Sequence, residues 1–298
     1  MPSDFLPART LRDVLDAEYI PRRLNLKPLS ADQLRYTIRS FSKFLGHDAC
    51  LHDLTELSVL RWLQVRRAQC SMATVKRERG DILCLWKFAH KRGLYPTPPA
   101  DIEPIKLVQK IPRAFSVADL ESILAVTRRL RGEMRGTGVQ RHSWYTSLVL
   151  FLYDTGSRIT ASLGVRPDDI NLDSRYVLME AQHSKTGVEQ IVNLSDQTIA
   201  SIAAMYDQSR ELVWPYPWHK RRLWLNLHEI CDAAGVKLAK GEGFHVLRRT
   251  HATYTVKTHG WQRAQADLGH TNEAMTRRYV DPRLLGPRGL NLPRPEVG

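Results

Sequence analysis

Apolar residues recur at helical spacing through the first hundred positions of the chain. Pro28-Leu29-Ser30-Ala31-Asp32-Gln33 reads as a helix entry, with Ser30 as N-cap and Gln33 in the capping-box position. Leu34, Ile38, Phe41 and Leu45 then mark one face. Further helical patterns run over about 55–67, with Leu57, Leu60, Trp62 and Leu63, and about 72–92, with Ile82, Leu83, Leu85, Trp86 and Ala89. Gly93 is placed to stop the last of these. The pattern predicts an all-helical domain over residues 25–100.

Pro96, Pro98, Pro99, Pro104 and Pro112 then break any helical reading, so residues 101–113 are expected to be an extended, semi-stiff linker. A second domain is expected over 114–280. Ser116-Val117-Ala118-Asp119 opens a helix, and Trp144 to Asp154, apolar almost all round, reads as a buried one. Tyr176-Val177-Leu178-Met179 and Gln190-Ile191-Val192-Asn193-Leu194 read as short strands flanking the turn-like Ser184-Lys185-Thr186-Gly187. Helical patterns return from about 197 to the region of Tyr279. Residues 281–298, with Pro282, Pro287, Pro293 and Pro295, are expected to form a tail without helix. The fold class is therefore mainly α with a small β-hairpin or sheet, the second domain being α+β.

Composition narrows the function. The longest apolar stretch, Ser147 to Tyr153, is far below the roughly 20 residues of a membrane span, and the acidic N-terminal segment does not resemble a signal peptide. A cytoplasmic protein is expected, with no membrane partner. Cys50, Cys70, Cys84 and Cys231 form no CxxC pair and read as small buried residues, so neither a structural zinc nor a disulfide framework is suggested. The formal charge is +13, divided as +5 over residues 1–105 and +8 over the rest. A polyanion is the expected partner, and two basic domains suggest a clamp around it.

Four clusters carry the candidate chemistry. Thr155-Gly156-Ser157-Arg158 delivers an arginine from a glycine turn. Lys185 sits at the expected hairpin tip. His245-Val246-Leu247-Arg248 puts an imidazole and a guanidinium on one helix face, and Leu268-Gly269-His270 is followed nine residues later by Tyr279. This set is complete for attack on a phosphodiester. Paired guanidiniums hold the non-bridging oxygens, a tyrosine in cationic surroundings becomes a nucleophile, and a lysine of lowered pKa protonates the leaving oxygen. No metal ion or other cofactor is called for. Singly, each residue has a commonplace structural role; joint order and spacing carry the assignment.

These residues resemble the tyrosine recombinases, the family of phage integrases and Xer-type site-specific recombinases. Tyr153-Asp154-Thr155-Gly156-Ser157-Arg158-Ile159 is similar to the family's first arginine box, His245 to Thr253 to its HxLRxxxAT box, and Leu268-Gly269-His270 with Tyr279 to its LGH-to-tyrosine spacing. Val75 to Leu94 resembles the last large helix of the family's helical core-binding domain.

The resemblance implies that Tyr279 forms a 3′-phosphotyrosyl bond, that Arg158 and Arg248 hold the scissile phosphate, and that Lys185 is the general acid. It further implies that His245 assists proton transfer and that His270 hydrogen-bonds the phosphate. It also implies a homo-tetramer on two double-stranded DNA core sites, with accessory DNA-bending or directionality proteins as further partners. The chain departs from the family at Ala161, where an acidic residue is often found three positions after the first arginine. That departure keeps open a non-catalytic DNA-binding protein of the same fold. A type IB topoisomerase is the other alternative, sharing the chemistry but religating the same strands.

Overall fold

The computed structural model describes residues 9–179, 189–239 and 241–286. The chain divides into two compact units, Met1–Gln109 and Lys110–Gly298, each with its own hydrophobic core. The fold is mostly helical with two small antiparallel sheets.

In the first unit a single turn, α1 (Leu11–Asp13), continues into a π-helical stretch at Val14–Tyr19. Three long helices follow: α2 (Pro28–Leu45), α3 (Glu56–Gln69) and α4 (Met72–Lys91). α2 begins two residues before Ser30, because Pro28 takes the first helical position, where its fixed φ and missing N–H cost nothing. Lys27 is therefore the N-cap and Ser30 lies inside the first turn. Thr55 and Ser71 cap α3 and α4 through their side chains.

Phe41, Trp62 and Trp86 fill the core, with the Phe41 and Trp62 rings 5.2 Å apart. Leu57 faces solvent instead, and Val59 supplies the buried position one turn before Trp62 and Leu63. Leu11, Val14, Leu15 and Tyr19 also enter this core, from a segment where the periodicity predicts no element. Ile102 is buried against the same core, so the proline-rich stretch begins as a docked strap. Arg66 holds the buried Glu78 with two hydrogen bonds of 2.9 Å, which satisfies a carboxylate that would otherwise be costly inside.

The second unit is built around α6 (Arg141–Thr155), buried on every side from Trp144 to Leu152, as its all-apolar sequence requires. α5 (Val117–Arg128), α8 (Asp196–Ala203) and the long α10 (His245–Asp267) pack against it, while α9 (Lys220–Ala233) packs on α5. β1 (Glu133–Met134) and β2 (Val139–Gln140) form a hairpin too short for sequence periodicity to reveal. β3 (Ile170–Asn171), β4 (Tyr176–Met179) and β5 (Gln190–Asn193) form the other sheet in that order, with Val177 opposite Val192. Lys185 falls in residues 180–188, between the paired ends Met179 and Gln190 but outside the described residues. Trp214 is fully buried against Phe151, and Tyr216 and Trp218 pack half-buried on the same core.

Two further expectations need correction. Cys84 is exposed and Cys70 half-buried, so only Cys50 and Cys231 are buried thiols. The region after Tyr279 is not a free tail from residue 281: Asp281 is buried, and Pro282–Leu284 form one 3-10 turn. The rest of the expected tail, 287–298, lies outside the described residues.

Two glycines set the course of the chain in the second unit. Gly156 ends α6 with φ +58, and a Cβ there would lie 2.4 Å from Cδ2 of the His251 ring. Gly260 (φ +84, ψ 176) breaks α10 into two helices. A straight helix would carry Leu268 about 30 Å from Arg248; the break returns it to hydrogen-bond distance, with the Leu268 carbonyl 2.7 Å from Arg248 Nη2. Replacing Gly156 by alanine is expected to destabilise the protein by at least ~1–3 kcal/mol from backbone strain alone, with the ring clash added. In urea denaturation, Gly156→Ala with His251→Ala should cost less than the sum of the two single changes, because the double variant has no clash.

Candidate active site

Three of the four sequence clusters owe their position to a helix end. α6 stops at Gly156, and Arg158 is the N-cap of the short α7 (Ile159–Ser162), its carbonyl accepting from the N–H groups of Ala161 and Ser162. The turn is pinned inside by hydroxyls: Thr155 Oγ1 donates to Ser157 Oγ (2.9 Å), and Ser157 Oγ lies 2.7 Å from Ser162 Oγ. Ala161, at the position where an acid would resemble the family pattern, is a buried methyl group.

The triplet Leu268-Gly269-His270 is a helix stop. Leu268 is the C-cap, Gly269 takes φ +60, and the N–H groups of Gly269 and His270 return to the carbonyls of Ala266 and Gln265. That is a Schellman ending, and it fixes where the His270 ring projects. α11 (Glu273–Arg277), capped by Asn272, then leads to Tyr279, whose N–H donates to the Thr276 carbonyl at 2.8 Å.

These ends converge on Arg248. Its side chain is 3% exposed; Nη1 donates to the Gly156 carbonyl (2.6 Å) and Nη2 to the Leu268 carbonyl (2.7 Å). Nη2 also lies 3.4 Å from His270 Nε2. The guanidinium carbon stands 5.4 Å from the centre of the Tyr279 ring, and Nε has no hydrogen-bond partner among the described residues. The rings of His245 and His270 flank Tyr279 with centres 5.0 and 4.9 Å away. Arg158, half-buried, is close enough to act electrostatically on Arg248 and on both histidines. Neither arginine forms an ion pair with a described carboxylate. The structure thus brings together five of the six residues singled out from the sequence, and the sixth, Lys185, lies outside the described residues.

The electrostatics follow from this excess of positive charge. Burial and the neighbouring Arg158 push the Arg248 guanidinium down to about 10, against a restoring interaction with Tyr279. His270 is pushed down to about 4 by burial, then by Arg248 and Arg158. His245 is also pushed down to about 4, by loss of water on its inner face and by Arg248, Arg249 and Arg158, although its outer face is open to solvent. Its place on the first turn of α10 adds the positive end of a helix dipole. Both imidazoles are neutral at pH 7. An arginine can only donate, so His270 Nε2 is the acceptor toward Arg248, and Nδ1–H donates to Thr276 Oγ1 at 3.0 Å.

Several supporting residues carry no signal in periodicity or motif. Thr276 orients His270, Gly260 turns the chain back, and His251 joins the carbonyl of Tyr153 (2.8 Å) to Asp267 (3.5 Å). Asp267 is separated from His251 by the Gly260 break, so no local spacing reveals the pair. Tyr254, on the same helix as His245 and Arg248, packs on Tyr153. Among the described residues, the one group of His, Cys, Asp or Glu close enough to share a metal ion is His47, His52 and Asp53, in the first unit. There Asp53 already caps Cys50 N–H at 2.8 Å.

Comparison with known proteins identifies the family. Residues 117–284 match the family model described as "Phage integrase family". The chain is 25% identical over 299 residues to tyrosine recombinase XerD of Mycobacterium leprae, covering 91% of each chain. It is 25% identical over 188 residues to tyrosine recombinase XerA of Thermococcus kodakarensis, covering 60% of this chain and 61% of the relative. Among solved structures, lambda integrase (75–356) as a dimer bound to a COC′ core site superposes with a TM-score of 0.70 at 21% identity, covering 97% of this chain and all of that one. XerH site-specific recombinase, in a post-cleavage complex with a palindromic difH substrate, gives 0.68 at 19% identity, covering 86% and 78%. These last two likenesses concern the fold.

Folding lowers His245 and His270 from 6.5 to about 4, so as pH falls through 6.5 the unfolded chain binds protons that the native state refuses. The free protein should therefore lose stability progressively between about pH 6.5 and 4. The urea midpoint of wild type is expected to drop between pH 7 and 5, and that of His270→Gln to drop less.

Proposed function

The chain belongs to the phage integrase family, and from that premise we propose that it is a site-specific DNA recombinase that cleaves and rejoins strands through a 3′-phosphotyrosyl intermediate. The observation that carries this reading is the buried guanidinium of Arg248, paired with no carboxylate among the described residues and set against the Tyr279 ring with Arg158 nearby. A buried cation without an anionic partner is costly, and its unpartnered Nε is a further donor for an arriving anion.

In this reading Arg158 and Arg248 bind the non-bridging oxygens of the scissile phosphodiester and stabilise the charge that develops there. The Tyr279 hydroxyl attacks phosphorus. Its proton passes to neutral His245, the Tyr–O–P bond forms, and the P–O5′ bond breaks. Lys185 gives a proton to the departing 5′-oxygen, leaving a free 5′-hydroxyl. The reverse attack by a 5′-hydroxyl of another strand restores a phosphodiester, so bond energy is retained without a nucleotide cofactor. His270 holds Nε2 as an acceptor in the free protein. The phosphate's negative charge raises its proton affinity, and Nε2–H then donates to the phosphate. Relatives and neighbours named as recombinases, and the integrase and XerH structures solved on DNA sites, support this substrate class. A tetramer of lambda integrase bound to a Holliday junction supports a tetrameric assembly on two sites for this chain too. The first unit is then the core-binding domain and the second the catalytic one, acting in the cytoplasm.

A nicked suicide duplex carrying the target site tests the mechanism. Wild type is expected to accumulate a covalent protein–DNA adduct, and Tyr279→Phe none; an adduct that persisted in the variant would remove Tyr279 as nucleophile. Lys185→Ala should slow adduct formation by ~10²–10⁴-fold. A substrate with sulfur at the 5′-bridging position, whose thiolate leaves without a proton, should restore most of that loss if lysine is the general acid.

A further inference from the structure

Two residues beyond Tyr279 lies a carboxylate that the strand-cleavage chemistry does not use. Asp281 is 2% exposed and saturated with donors. Oδ2 accepts from the Ala114 N–H (3.1 Å) and Arg283 Nη2 (2.7 Å), and Oδ1 from Arg283 Nε (2.8 Å) and the Arg283 N–H (3.1 Å). Its own N–H donates to Thr253 Oγ1 at 2.9 Å. One turn earlier on α10, Thr250 Oγ1 accepts the Phe115 N–H at 2.9 Å. Arg283 Nη2 also reaches the Pro112 carbonyl at 3.5 Å.

The chain that enters the second unit from the linker and the chain that leaves Tyr279 are thus bound to two threonines of one helix and, through a single carboxylate, to each other. Those threonines belong to the helix that carries His245 and Arg248. The linkage is stiff. A buried carboxylate holding a two-pronged arginine and a backbone N–H has one favourable geometry, and the intervening Val280 is buried with Ala252 and Val256 of α10. A displacement of residues 112–115 therefore pulls on Asp281, and Asp281 is too close in sequence to Tyr279 for the chain to absorb the motion.

We propose that Asp281 is a positioning residue that conveys the placement of the interdomain linker to Tyr279, so that the alignment of the nucleophile follows the course of residues 112–115. This rests on the reading of Tyr279 as nucleophile. Asp281 has no part in the bond-making step. It sets where the phenol stands, and a misplacement of an ångström at a nucleophile is worth up to about 100-fold in rate.

The test is a double-variant cycle on full-length protein, read as the single-turnover rate of adduct formation on the suicide duplex, with duplex affinity and melting temperature measured in parallel. One change is Asp281→Asn, which keeps the shape but loses the charge that holds Arg283. The other inserts three glycines between Gln109 and Lys110 to slacken the linker. Each alone is expected to slow adduct formation ~10- to 100-fold while duplex affinity stays within about twofold of wild type. The combination should be no slower than Asp281→Asn alone, because the path between linker and tyrosine is already cut. Rate losses that multiply, or an Asp281→Asn protein that reacts at the wild-type rate, would overturn the proposal. Should Asp281→Asn fail to fold, Arg283→Gln takes its place in the cycle: this arginine is largely exposed, at 61% of its side chain, and loosens the same carboxylate. A wild type that forms no adduct at all would remove the nucleophile reading, and this proposal with it.

Discussion

The second unit is organised around a charge that has nowhere to go. Arg248 sits inside the protein without a carboxylate partner among the described residues, and two peptide carbonyls stand in for one. Those carbonyls come from Gly156 and Leu268, each at the end of a different helix, where carbonyls lack their intrahelical partners. The guanidinium therefore satisfies two helix ends at once and ties three distant stretches of sequence to one point. A lysine could not replace it: a single ammonium does not reach two carbonyls in different directions, and at this burial it would shed its proton. The neutrality of the two histidines owes most to burial and next to this cation, and the Tyr279 ring stands against the same guanidinium.

How much of this is legible in sequence depends on whether the information is local. Helix α6 is readable because a nearly uninterrupted apolar run can only be buried, and β4 and β5 because their runs of strand-forming residues flank a turn-like sequence. The site residues are readable through a resemblance whose boxes are themselves local structure: one glycine stop before Arg158, another before His270. What stays hidden is whatever depends on the chain returning to itself. Asp267 is opposite His251 only because α10 is broken, Thr276 is at His270 only because α11 loops back, and Asp281 looks like the start of a tail until Ala114 arrives beside it. The entry of residues 11–19 into the first core is hidden for a different reason. The segment is too short to show a period, and its fold is partly π-helical, with a spacing that matches neither template.

Ala161 illustrates how a missing group is replaced by packing. With a methyl in place of an acid, the turn carrying Arg158 is held by three hydroxyls in series and by the His251 ring lying against Gly156. Arg158 then forms no ion pair among the described residues, and the pocket is more positive than a version with a carboxylate at position 161 would be. The same absence that weakens the sequence resemblance strengthens the attraction for an anion.

Gly260 has no side chain, touches no functional group, and nothing lies within 4 Å of where its Cβ would be. Yet it converts an order along the chain into a neighbourhood: the arginine of one motif and the histidine of the next, some twenty positions apart, meet because one residue accepts a backbone angle that others resist. The spacing between those two motifs is therefore a mechanical quantity, the length of two helical arms measured from a common hinge. A residue gained or lost on either arm would rotate its far end by about 100° and turn the carbonyl and the imidazole away from the cation, with every motif still spelled correctly.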